Sequence, residues 1–105
     1  MKLIWSPLAL ERVAEIAEYI AQDRPRAAEQ WVEDIFAAVE RLERFPLSGH
    51  IVREARRPDV REVLHGSFRI LYRVEETQLS VLTLRHARQL TEPEDLGIPL
   101  PPRPA

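Results

Sequence analysis

Phe68-Arg69-Ile70-Leu71-Tyr72-Arg73-Val74 decides the fold. Phe68, Ile70, Tyr72 and Val74 fall on one side of an extended chain, and Arg69, Leu71 and Arg73 on the other. This is the period-two pattern of a strand. Just before it, Val60-Arg61-Glu62-Val63-Leu64 reads as a shorter strand, and His65-Gly66-Ser67 as a tight connection. After it, Glu75-Glu76-Thr77 is a turn, and Leu79-Ser80-Val81-Leu82-Thr83-Leu84 is apolar on both faces, as a central strand is. Two short links make these three strands an antiparallel meander.

Upstream the period lengthens. Leu3-Ile4-Trp5 is a short apolar run, predicted to add a fourth strand, and it stops at Ser6-Pro7. A serine cap followed by proline at the first helical position is a start signal. Leu10, Val13, Ala14, Ala17, Ile20 and Ala21, with Ile16 beside them, then recur at three and four, opposite Glu11, Arg12, Glu15 and Glu18. This helix stops before Arg24, because the residue preceding Pro25 is pushed out of the α region. Pro25 opens a second helix with the stripe Ala28, Trp31, Val32, Ile35, Phe36, Val39, Leu42 and Phe45, ending at Pro46. Helices joined by so few residues lie antiparallel, and each still needs a cover for its stripe, which the meander supplies.

Residues 49–59, with Arg53, Arg56, Arg57 and Pro58 but few apolar anchors, are expected to be a surface loop. Residues 89–105 hold five of the nine prolines and are expected to be a partly extended tail outside the domain of residues 1–88.

The chain has 105 residues, 45% of them apolar and 30% charged, the composition of one globular domain. It has no cysteine, which excludes disulfides and thiolate metal sites, and the absence of a long apolar run predicts a soluble, cytoplasmic protein with no membrane partner. The net charge of −2 argues against indiscriminate nucleic-acid binding, yet it is unevenly spread. Residues 1–48 balance at −3 and residues 89–105 at −2, whereas residues 49–88 carry eight arginines against five acids. Arginine suits bidentate contact with phosphate or carboxylate, and equally guards a sheet edge against aggregation.

The three glycines are too scattered for a phosphate-cradling loop, and the three histidines lack ligand spacing, so neither a metal nor a cofactor is expected. What remains is Arg61, Arg69-Ile70-Leu71-Tyr72-Arg73 and Leu84-Arg85-His86-Ala87-Arg88. Alternation puts Arg69 and Arg73 on one face, and His86 and Arg88 on one face of the last strand. RNA cleavage without a metal needs a base for the 2′-hydroxyl, cations for the phosphorane and an acid for the leaving oxygen. Arginines suit the second role and His86 the first or third. The alternative is that these arginines pair with local carboxylates and that Tyr72 is a core aromatic.

The order of these pieces resembles the RelE/ParE toxin superfamily of type II toxin–antitoxin systems. The resemblance spans about residues 1–88. It rests on Ser6-Pro7, Glu18-Tyr19-Ile20-Ala21, the helix opened by Pro25, Phe45-Pro46-Leu47-Ser48-Gly49, Val60-Arg61-Glu62, Phe68 to Val74 and Val81 to Arg88. It implies an α+β, β-α-α-β-β-β fold, with an αα-hairpin on a small, mainly antiparallel sheet. It also implies growth arrest by the free toxin, a role in plasmid stabilisation, and a cognate antitoxin from the same operon that joins it in a hetero-oligomer. An arginine face beside apolar strand edges is the expected dock for an acidic antitoxin segment. ParE-like members poison DNA gyrase, whereas RelE-like members are ribosome-dependent mRNA endonucleases. Arg69 matches the family's Arg-x-x-Tyr strand, and His86 and Arg88 fall near the nuclease branch's carboxy-terminal catalytic position. On the RelE-like alternative, Arg69, His86 and Arg88 are the catalytic set acting on ribosome-bound mRNA. Otherwise Arg61, Arg69, Arg73 and Arg85 are the expected target- or nucleic-acid-binding residues. RelE carries paired lysines ahead of the arginine strand, but the only lysine here is Lys2, so a lysine base is missing. The long helices and the Leu84-Arg85-His86 ending favour the ParE-like branch. A degenerate, non-toxic member is a third expectation.

Overall fold

The computed structural model describes residues 1–88 and 96–97. The chain runs β1 (Lys2–Trp5), α1 (Pro7–Ala21), α2 (Pro25–Arg44), β2 (His50–Ile51), a 3-10 turn (Arg53–Ala55), β3 (Val60–His65), β4 (Phe68–Val74) and β5 (Gln78–His86). The five strands form one sheet in the order β1-β5-β4-β3-β2, antiparallel except that β1 lies parallel to β5. The α+β architecture of an αα-hairpin on a mainly antiparallel sheet is therefore present, with β1 now placed. A parallel neighbour needs a long crossover, which everything between β1 and β5 provides.

Ser6 starts α1 as its local chemistry predicts. Its Oγ accepts the Ala9 N–H at 3.0 Å, and Pro7 occupies the first turn, where its missing donor costs nothing. The same hydroxyl donates to the Leu82 carbonyl of β5 at 2.7 Å, tying the helix start to the sheet. That carbonyl belongs to a β-bulge: Leu71 pairs with Thr83 and Tyr72 with Val81, so Leu82 has no partner across the ladder. The extra residue explains why Val81 and Leu84 share the helix-side core although strict alternation would separate them.

Two expected stripes need correction. In α1 the buried positions are Ala9 and Val13 with Ile16 packed against the core, while Leu10 is 45% exposed. The stripe is turned by about one residue, because small Ala9 lets the helix start sit close to the sheet. In α2, Phe45 falls just past the last helical residue, leaves the helical conformation with φ −132°, and is 63% exposed rather than buried.

The helix-side core joins Val13, Ile35, Val39 and Leu42 to Ile70, Tyr72, Leu79, Val81 and Leu84. The sheet's other face carries a second cluster of Val52, Ala55, Val60, Leu71, Leu82 and Leu96. Residues 49–59 are therefore not a bare surface loop. β2 pairs with β3 (His50 opposite Glu62, Ile51 opposite Arg61), and Val52 and Ala55 bury on the second face. Two small anchors suffice because Leu71 and Leu82 give them a flat apolar floor. Leu96, from the segment expected to be a tail, is 2% exposed in that cluster. The rest of the expected tail, residues 89–95 and 98–105, lies outside the described residues. Among the described residues no helix is long and apolar enough to cross a membrane.

Candidate functional site

The second sheet face gathers most of the meander's charge. Arg69 is 8% exposed, and its Nε donates to Glu62 Oε2 at 2.6 Å while Nη2 pairs with Glu62 and lies 3.8 Å from Glu54 Oε1. Arg73 donates from Nε to Asp59 Oδ2 at 3.0 Å and lies 3.7 Å from Glu75. Arg57 grips both oxygens of Asp59, at 2.9 and 2.7 Å. The Arg57 hydrogen bond, helped by Arg73, holds the Asp59 carboxyl below its ordinary range against the opposing effect of burial. Glu75 is held low in the same way, first by the Ser80 hydroxyl and then by the Gln78 amide. Arg85 stands directly opposite Arg69 in the ladder. Arg57, Arg69 and Arg73 thus form a lattice of compensated charge, the local pairing with carboxylates that the alternative reading of the arginines anticipates.

His86 lies on the opposite face. It is paired across the ladder with Phe68, whose ring it meets edge-on at 5.7 Å, and Phe68 in turn meets Trp31 of α2 at 5.4 Å. Its Nδ1 accepts the Arg88 N–H at 3.2 Å. Arg88 is exposed in the turn after β5 rather than on a strand face, because the pairing ends where β4 begins, at Phe68 opposite His86. A shallow cavity of about 290 Å³, lined in part by Arg12, Phe68, Leu84 and His86, opens there. Arg69 and His86 are therefore separated by the sheet, and the three residues expected for RNA cleavage do not converge.

The helix-side face holds an arrangement that sequence reasoning missed. Tyr72 is a fully buried core aromatic, and its hydroxyl donates to the Pro46 carbonyl at 2.8 Å and accepts the Gly49 N–H at 2.9 Å. Burial raises its pKa, partly opposed by the Gly49 N–H, so the hydroxyl keeps the proton it donates. Arg61 Nη1 donates to the Gly49 carbonyl at 2.8 Å and the Leu47 carbonyl at 3.2 Å. Arg61 is a clamp on this loop rather than a member of the arginine face. A Cβ on Gly49 would come within 2.5 Å of the Tyr72 hydroxyl and 2.6 Å of the Glu62 carbonyl, so the loop needs glycine there. The available signal was the Pro-x-x-Gly following α2 together with a tyrosine on the facing strand.

Residues 3–91 match the model of the ParE toxin of the type II toxin–antitoxin system parDE. The chain belongs to the ParE toxin family. A curated protein of Sinorhizobium fredii (strain NBRC 101917 / NGR234), named "Putative toxin Y4kP", is 36% identical over 90 residues, covering 84% of this chain and 90% of that protein. The fold is similar to a chain of the chromosomal ParDE system from P. aeruginosa, with a TM-score of 0.71 at 23% identity, covering 84% of this chain and 97% of that one. It is also similar to a chain of the RelBE2 toxin–antitoxin complex from Mycobacterium tuberculosis, with a TM-score of 0.54 at 23% identity, covering 81% and 95%.

Proposed function

We propose that this ParE-family chain arrests growth by binding DNA gyrase and that a cognate antitoxin, bound in a hetero-oligomer, neutralises it. The observation that carries the proposal is the match of residues 3–91 to the ParE toxin model. The site geometry agrees with it. Stabilising a phosphorane needs cations free to meet it beside a base and an acid. Here Arg69 is occupied by Glu62, and His86 sits on the other side of the sheet. A toxin of this kind works by occupying a protein surface. The antitoxin part is supported by the two similar structures, both of toxin–antitoxin systems.

Expression of the chain alone under tight induction tests the proposal. The expected result is growth arrest with altered plasmid topology and intact messages. Arrest with messages cut in their translated regions would move the chain to the nuclease reading, and undisturbed growth would make it an inactive member.

A further inference from the structure

The loop after α2 is held rigidly, yet it projects apolar side chains into solvent. Four backbone groups, the carbonyls of Pro46, Leu47 and Gly49 and the Gly49 N–H, are tied to Tyr72 and Arg61. The loop so fixed leaves both Phe45 and Leu47 63% exposed. Fixing a loop does not require large apolar groups on its outside, and such groups held in one place cost less to order when a partner arrives.

Beside Phe45 lies a groove of about 290 Å³ between the end of α2 and β3, with Ala38, Leu42 and Val63 among its lining residues. Among the described residues its charged or titratable lining is Arg41 and His65, with no carboxylate. Among the described residues no acid pairs with Arg41, in contrast to the arginines of the second face. One wall is an open strand edge. His65 and Phe68 close a two-residue hairpin, so His65 and Val63 direct their backbone groups to β4 and Leu64 directs its own outward. The same alternation explains why Glu62 faces β2 and why the Val60 carbonyl accepts the Val52 N–H at 3.1 Å. β2 reaches only Arg61 and Glu62, so among the described residues no strand covers β3 at Leu64.

We infer that this α2–β3 groove receives an extended, acidic segment of a protein partner. The segment places an aliphatic or aromatic side chain against Phe45, Leu42 and Val63, a carboxylate on Arg41, and backbone hydrogen bonds on Leu64. The inference rests on the proposed existence of a neutralising antitoxin. It moves the expected docking surface from the arginine face, where Arg57, Arg69 and Arg73 are already paired with carboxylates, to a groove whose Arg41 has no acidic partner among the described residues. Apolar complementarity supplies affinity and the unopposed cation selects an acidic segment.

The test uses the full chain and the product of the adjoining reading frame, with Phe45→Ser and Arg41→Glu as groove variants. Tyr19→Ser is the control, a substitution of a residue 77% exposed at the other end of the helix hairpin. All three positions are exposed, and thermal unfolding checks that each variant folds. Each groove variant is expected to weaken binding by roughly tenfold or more, the control by less than about twofold. The partner is also expected to slow hydrogen exchange at the Leu64 amide. Wild-type affinity in both groove variants, with no protection of Leu64, would overturn the groove and leave the antitoxin reading standing. Protection of Leu64 that grows with the concentration of this chain alone would assign the groove to a second copy and also overturn the inference. No binding by the wild-type chain would overturn the antitoxin reading, and the groove with it.

Discussion

Tyr72 shows how one hydroxyl organises a loop across the sheet. Tyr72→Phe keeps the ring in the core but leaves the Pro46 carbonyl and the Gly49 N–H without their partner. The expected cost is about 1–3 kcal/mol, read as a lower urea midpoint at unchanged slope. Gly49→Ala attacks the same lock from the other side, forcing a methyl against the Tyr72 hydroxyl and the Glu62 carbonyl, and should cost about 1–3 kcal/mol. An unchanged midpoint in either variant would show that the lock is not formed. Asp59 makes the prediction with a pH sign. Its carboxyl titrates below its ordinary value of 3.8 in the folded chain, so on acidification the unfolded chain takes up the proton first. Its ion pairs therefore contribute fully above about pH 5 and fade as the pH falls through about 4 and below. Asp59→Asn should flatten the stability–pH curve in that window, and an acid limb as steep as the wild type's would contradict the assignment.

Ser6 acts between elements. It caps α1 and also accounts for the Leu82 carbonyl freed by the bulge, so Ser6→Ala should cost about 1–2 kcal/mol by thermal unfolding. A loss no larger than at an exposed helix position would show that the link to β5 contributes nothing. The helices and the meander were legible because each follows one period, and prolines 7, 25 and 46 punctuate them. The bulge was not, since Leu79 to Leu84 is apolar at most positions and an inserted residue leaves no trace in such a run. Residues 49–59 read as a bare loop because Val52 and Ala55 have no periodic neighbours, and their burial depends on Leu71 and Leu82 arriving from elsewhere. The charged pairs were legible as an alternative but not as an outcome. Glu62 and Arg69 meet only through the register of β3 on β4, where Leu64 rather than Glu62 is the residue directly opposite Arg69.

At the scale of the whole molecule, the sheet divides two surfaces. One carries compensated arginines over a small second core, and the other carries the helix hairpin, His86 and the rigid loop at Phe45. Leu96 belongs to the second core, so Leu96→Ala should lower the urea midpoint by an amount worth about 2 kcal/mol or more. An unchanged midpoint would return that segment to a tail. On the proposed gyrase-binding reading His86, which meets Phe68 edge-on away from Arg69, is predicted to be dispensable. Gyrase binding is tested most directly by titrating the purified chain, and its His86→Ala variant, into DNA gyrase supercoiling a relaxed plasmid. Both proteins are predicted to inhibit at the same concentration. Supercoiling that proceeds unchanged at saturating amounts of the wild-type chain would contradict the proposed target.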